Sequence, residues 1–250
     1  MIRVRDLHKH YRGTPAVNGL SFDVHPGQVL GLVGPNGAGK TTTLRAIAGI
    51  IPPTRGALEV AGYDVQNHPL PAKQALAYVP DDPALFGSLT VYEHLLFSAS
   101  AYGVTDYVEK AQHLLREFEI ADKGDRLAQE LSRGVRQKVA ICAAYMHDAQ
   151  AILFDEPMTG LDPHGIRIMK DSIRVHAESG ASIVISSHLL TLIEDLCTHL
   201  LVLDKGRCLF SGSMEDARAV PVADGRSATL EEVFLRIVGD ASAPSSAGTG

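Results

Sequence analysis

Residues 34–41, GPNGAGKT, fit the pattern G-x-x-x-x-G-K-[ST] and stand between an apolar strand-like run, QVLGLVG, and a helical pattern, KTTTLRAIAGI. Glycines in such a turn let successive backbone N–H groups point inward at phosphate oxygens, and a helix N-terminus behind them adds its positive pole. Gly34, Pro35, Asn36, Gly37, Ala38 and Gly39 therefore form a candidate phosphate cradle, with Thr42 just behind it. Lys40 can reach the β- and γ-phosphates of a nucleotide, and the Thr41 hydroxyl can coordinate Mg²⁺.

A second acidic stretch, AILFDEP at 151–157, supplies what a phosphate cradle lacks. Its apolar run reads as a buried strand carrying Asp155 to the C-terminal edge of a sheet, where α/β folds gather their ligands. Asp155 can hold Mg²⁺ through water, while Glu156, one residue on, points elsewhere and can position an attacking water. Phosphoryl transfer to water depends more on such positioning than on covalent chemistry. No N-K-x-D guanine reader accompanies the loop, which disfavours a GTPase.

A third stretch, LSRGVRQKVAICAAYM from Leu131, reads as a serine-capped helix. A serine hydroxyl and an exposed glycine N–H at a helix N-terminus also make an anion site. A small-molecule kinase would leave that helix start unexplained.

The elements that must carry these residues follow from hydrophobic patterning. IRVRDL and residues 17–24 alternate like strands; ALEVAG, ALAYVP, AILFDE, ASIVISS and HLLVLD read as further short strands. Helical patterns between several of them favour a largely parallel sheet with crossover helices. Residues from about 83 to 147 contain no good strand and at least three helices, as expected of a helical block inserted into an α/β core. Thr90 with Glu93, and Thr229 with Glu232, make capping boxes. One domain is expected over 1–240, and the small polar residues of 241–250 read as a disordered tail.

The bulk composition narrows the partners. The 250 residues carry a net charge of −6, so no basic stripe suggests nucleic acid. No apolar run approaches the ~18 residues of a membrane span, and the N-terminus lacks a signal-peptide core. Any membrane link would come through a partner. Cys142, Cys197 and Cys208 lack metal-ligand spacing and are expected to be reduced thiols in a cytoplasmic protein.

LSRGVRQK followed by ILFDEP, then GLDP and SSH, resembles the ATP-binding-cassette (ABC) ATPases, with the match running in order over roughly residues 1–238. The resemblance implies an α/β P-loop NTPase with a mainly parallel core, an N-terminal antiparallel β subdomain and an inserted α-helical subdomain. It implies ATP and Mg²⁺ as ligands, with Lys40, Glu156 and His188 as catalytic residues. His188 in SSHLL resembles the histidine that contacts γ-phosphate and Glu156. Tyr11 resembles the aromatic residue that stacks on adenine, though a tyrosine there can equally be packed on the surface. Ser132 and Gly134 resemble signature residues that bind the γ-phosphate of ATP held by a second ATPase subunit, identical or different. Asp162 in GLDP resembles the loop linking two ATP sites, although Asp-Pro also starts a helix by itself.

Three positions depart from the family pattern. Arg133 and Val135 replace a glycine and a glutamine in the signature, and Asp81 in YVPDD replaces the glutamine that senses metal, water and membrane partner. As a carboxylate, Asp81 is a harder Mg²⁺ ligand, joining Thr41 and Asp155; it can also simply cap its loop. The family implies integral membrane permease subunits as partners, contacted through Asp81–Leu95, and a place on the inner face of the membrane. The run LTVYEHLLFSASAYG, residues 89–103, and the terminal TLEEVFLRI resemble the export-type subgroup. An importer ATPase and a soluble ATPase outside transport are the alternatives.

Overall fold

The computed structural model describes residues 1–219 and 229–242. Two sheets organise them. β1 (Ile2–Tyr11), β2 (Thr14–Val24), β4 (Arg55–Val60) and β5 (Tyr63–Asp64) form an antiparallel sheet in the order β2-β1-β4-β5. The second sheet contains β3 (Val29–Val33), β6 (Leu76–Val79), β7 (Ala151–Asp155), β8 (Ser182–Ser186), β9 (His199–Asp204) and β10 (Arg207–Ser213), in the order β10-β9-β3-β8-β7-β6. Every pairing from β9 to β6 is parallel, and β10 closes one edge antiparallel to β9.

The strands buried on both faces divide their side chains by the two-residue period of a strand. Ile152 and Phe154 of β7 enter a core shared with the helices, whereas Ala151 and Leu153 enter a core shared with the antiparallel sheet. The second core is closed by α1 (Lys40–Ile47), whose Leu44 and Ile47 pack near Ile2, Leu7 and Leu58. α2 (Pro69–Gln74) leads into β6.

Between β6 and β7 lie α3 (Val91–Tyr102), α4 (Tyr107–Glu117) and α5 (Arg133–Tyr145). Thr90 caps α3 with the reciprocal Glu93 bond expected of the sequence. Leu95, Leu115, Phe118 and Ile141 join these helices to the first core. α6 (Pro163–Glu178) and α7 (Leu190–Leu196) cross between strands on the same side, followed by α8 (Met214–Arg218) and α9 (Leu230–Ser242). Thr229 and Glu232 form the second capping box, at the start of α9. That helix runs two residues into the segment expected as a tail, and residues 243–250 of that segment lie outside the described residues. The cysteines are free thiols, and burial pushes the Cys142 and Cys197 thiols far up from their ordinary range. Two strands were not legible beforehand: β5 is only two residues long, and RCLFSGS of β10 has no clean alternation.

Candidate functional site

The parallel strands β3, β8, β7 and β6 are sheet neighbours, so their C-terminal ends meet along one edge. Each delivers part of the site. β3 runs into the phosphate loop, β7 ends at Asp155, β8 ends at Ser186, and β6 leads to Asp81 two residues later.

The loop wraps back on itself before α1 begins. Gly39, the residue before the helix, has φ 108°, and a Cβ there would stand 2.5 Å from the Ala16 carbonyl oxygen. Both conditions call for glycine. Among the described residues no side chain caps α1, and its first turn has no acid, so its leading N–H groups stay available to an anion. Lys40 is buried and donates from Nζ to the Gly34 carbonyl at 2.7 Å and the Pro35 carbonyl at 3.4 Å. The ammonium is thus held within the loop it is expected to serve.

Asp155 is 1% exposed and surrounded by donors. Thr41 Oγ1 donates to Oδ1 at 3.1 Å, Ser186 Oγ donates to the same oxygen at 2.6 Å, and the Tyr78 hydroxyl reaches Oδ2 at 3.4 Å. Burial, reinforced by the Asp155 charge, pushes the Tyr78 phenol above its ordinary value and keeps it a neutral donor. Strand register accounts for the shortest of these bonds, because Asp155 and Ser186 are directly paired between β7 and β8.

Glu156 turns away from that cluster. Its backbone adopts φ 50°, a left-handed conformation costing a non-glycine residue about 1–2 kcal/mol. The Ser186 carbonyl and hydroxyl both accept from the Glu156 N–H, each at 3.1 Å, and so hold the turn. The redirected carboxylate meets His188, whose Nδ1 lies 2.8 Å from Oε2.

A cleft of about 390 Å³ opens above these groups, lined by Tyr11, Ala16, residues 36–42, Asp81 and Glu156. Tyr11 is 47% exposed on its wall, with Lys9 Nζ 5.1 Å from the ring centroid. Ser132, Gly134 and Asp162 do not join this cleft. They line a separate pocket of about 420 Å³ with Arg133, Val135, Lys138, Gly160 and Leu161.

In this second pocket the polar groups are locally engaged. Ser132 Oγ caps α5 by accepting from the Val135 N–H at 3.4 Å. Asp162 caps α6 by accepting from the Gly165 N–H at 2.7 Å, so the helix-starting role of Asp-Pro is realised here. Gly134 is required for close approach: a Cβ would stand 2.5 Å from the Gly160 carbonyl oxygen. That packing demand adds to the exposed N–H for which the sequence singled it out.

Comparison with known proteins decides the family. The family profile described as "ABC transporter" matches residues 17–159. The chain belongs to the ABC transporter family. It is 32% identical over 239 residues to the "ABC-type transporter ATP-binding protein EcsA" of Bacillus subtilis (strain 168), covering 95% of this chain and 96% of that one. It is 35% identical over 214 residues to the "Nod factor export ATP-binding protein I" of Burkholderia pseudomallei (strain 1710b), covering 85% of this chain and 70% of the relative. A solved "Structure of ATP binding subunit of ABC transporter" superposes with a TM-score of 0.90 at 32% identity, covering 95% of this chain and 99% of that one.

As a member of this ABC family the chain is an ATP-binding subunit with the P-loop NTPase fold, and the family hydrolyses ATP. Two contacts around these pockets carried no expectation from the sequence. Ser186 was visible in the quoted SSH but carried no expected role, although it holds Asp155 and the Glu156 backbone together. Arg133, noted only as a departure, reaches out of its own pocket to Asp81, with Nη2 3.2 Å from Oδ1.

Proposed function

We propose that this chain is the ATPase of an exporter whose membrane-spanning permease is a separate chain. In this reading two ATPase subunits, identical or different, close head to tail around two ATP molecules. The observation that carries it is the division of the site within one chain. The phosphate loop, Asp155, Glu156 and His188 converge at one cleft, while Ser132 and Gly134 line a pocket with no residue in common with it. A second chain would bring its own signature pocket to the open side of the first chain's cleft.

Within the cleft, the loop N–H groups and Lys40 hold the phosphates, and Tyr11 stacks on the base. The donor set suits Mg²⁺. Thr41 and Asp155 present hard oxygens 3.1 Å apart, Asp81 adds a third on the cleft wall, and among the described residues no cluster of three acids, histidines or cysteines makes a dedicated cage. Mg²⁺ is held in this way, by one or two carboxylates plus phosphates and water. When bound, it would neutralise charge on the β- and γ-oxygens. Glu156, turned by its backbone away from Asp155 and braced by His188, is the base that orients and deprotonates the attacking water. His188, with a side chain 58% exposed, is free to face the γ-phosphate as well. Ser132 and the Gly134 N–H bind that phosphate from across the dimer.

Two observations support a separate membrane partner and export. Among the described residues no helix is long and apolar enough to cross a membrane. The relative from Burkholderia is named for export of Nod factor. A groove of about 250 Å³ between the core and the helical block, lined by Pro83, Leu85, Tyr102 and Ala143 among others, is the proposed seat of the permease. Phe86 and Phe97 stand exposed in the adjoining helical block, 55% and 56%, and pack edge to face. Such a position would place the ATPase on the inner face of the membrane.

Gentle affinity purification of the tagged chain from native membranes tests this reading. A multi-span protein is expected to co-purify in stoichiometric amount. Recovery of soluble partners alone would overturn the assignment to an exporter.

A further inference from the structure

The cleft and the signature pocket share no residue, yet one side chain bridges them. Arg133 lines the signature pocket, and its guanidinium reaches Asp81 on the wall of the cleft, at 3.2 Å. Arg133 gains a counter-charge that its own helix does not supply. Arg133 is the first residue of α5, where the positive end of the helix disfavours a cation, and the first turn of α5 contains no acid. Asp81 is a carboxylate on the wall of a cleft whose loop N–H groups and Lys40 are arranged for phosphate, so it would meet like charge once a nucleotide binds unless a cation lies between them.

The path of the arginine is also defined. A Cβ built on Gly160 would lie 3.3 Å from both Cγ and Cδ of Arg133, so the stem crosses directly over that glycine towards Asp81. Both side chains remain about half exposed, 49% and 48%. An ion pair so exposed is weak and exchangeable.

We propose that Arg133 and a divalent cation compete for Asp81. With the cleft empty of metal, Arg133 holds the carboxylate; with metal and nucleotide present, Asp81 turns to the cation and Arg133 is released into the signature pocket. Arg133 is then a positioning residue, coupling the metal state of a chain's own cleft to the surface it offers a second subunit. This rests on the reading of Asp81 as a metal contact.

The test uses Mn²⁺ as probe, titrated by electron paramagnetic resonance into the full chain saturated with ADP. Asp81→Asn should weaken Mn²⁺ binding. Arg133→Ala should tighten it about two- to fivefold, the range of an exposed ion pair. In the Asp81→Asn background Arg133→Ala should change little, and Arg133→Lys should stay near the parent because an ammonium can keep the single contact. Equal tightening in both backgrounds, or none in either, overturns the exchange while leaving Asp81 as a ligand. No effect of Asp81→Asn overturns the metal contact and the exchange with it. Thermal melting of each variant separates these outcomes from loss of fold, and Arg133→Lys keeps the test open if the alanine variant does not fold.

Discussion

The two helix N-termini that face phosphate in this reading are built in opposite ways. α1 begins at Gly39 with no side-chain cap, and the groups around it are connected into one cluster: Lys40 to the loop carbonyls, Thr41 and Ser186 to Asp155, Glu156 to His188. α5 begins at Ser132, whose hydroxyl closes on the helix's own Val135 N–H, and Asp162 beside it closes on Gly165. The first region is preorganised for chemistry within a single chain. The second is a set of ordinary helix caps, which another molecule's phosphate would displace in the proposed dimer. The long Ser132 bond, 3.4 Å, is the kind a charged acceptor or a better donor can readily replace. In the proposed dimer, a site divided in this manner would tie hydrolysis to the meeting of two subunits.

If the first region alone carries the chemistry, Glu156→Gln should lower steady-state hydrolysis by about 10²- to 10⁴-fold, the usual loss with a general base. Equilibrium ATP binding should persist, since the phosphate contacts lie elsewhere. Normal turnover in a phosphate-release assay would remove Glu156 from the role of base. Ser186→Ala comes next. It removes one hydrogen bond to the Asp155 carboxylate and one to the Glu156 backbone, so a fall in kcat of about 10- to 100-fold is expected from bonds to charged groups. Unchanged kcat would mean that the strand ends hold their geometry without it.

The second region should respond through packing and assembly instead. Gly134→Ala places a methyl group against the Gly160 carbonyl, and a destabilisation of about 1–3 kcal/mol by urea unfolding is expected from overpacking. A neutral result would show that the 157–161 loop can move away. Ser132→Ala should cost about 1 kcal/mol as a lost helix cap. It should also weaken ATP-driven dimerisation, measured by light scattering in the Glu156→Gln background, while the nucleotide affinity of the monomer stays intact. Collapse of monomer affinity would make Ser132 part of its own chain's cleft and erase the contrast between the two regions.

Much of this molecule was decided by contiguous residues. The loop 34–41, the acidic strand end at 155–156, the capping boxes at Thr90 and Thr229 and the serine start of α5 are local devices. Their bonds span three or four residues, or depend on residue type and spacing alone, so the chain's order determines them before any folding partner is known. The continuous apolar run of β7 likewise marks a strand buried on both faces.

Other features depended on which distant strands became neighbours. Thr41 and Asp155 are 114 residues apart, Ser186 and Asp155 are 31 apart, and Arg133 and Asp81 are 52 apart. Parallel pairing of β7 with β8 in one register put Ser186 beside Asp155; a slip by one residue would have turned that hydroxyl to the opposite face. The left-handed turn at Glu156 is held by the same neighbour, and the need for glycine at 134 arises only because Gly160 packs against it. The sequence by itself determined which groups could do the chemistry, because loop, cap and strand signals are short-range. Only the tertiary structure decided their distances, their counter-charges and their division between two pockets, because those follow from long-range register and packing.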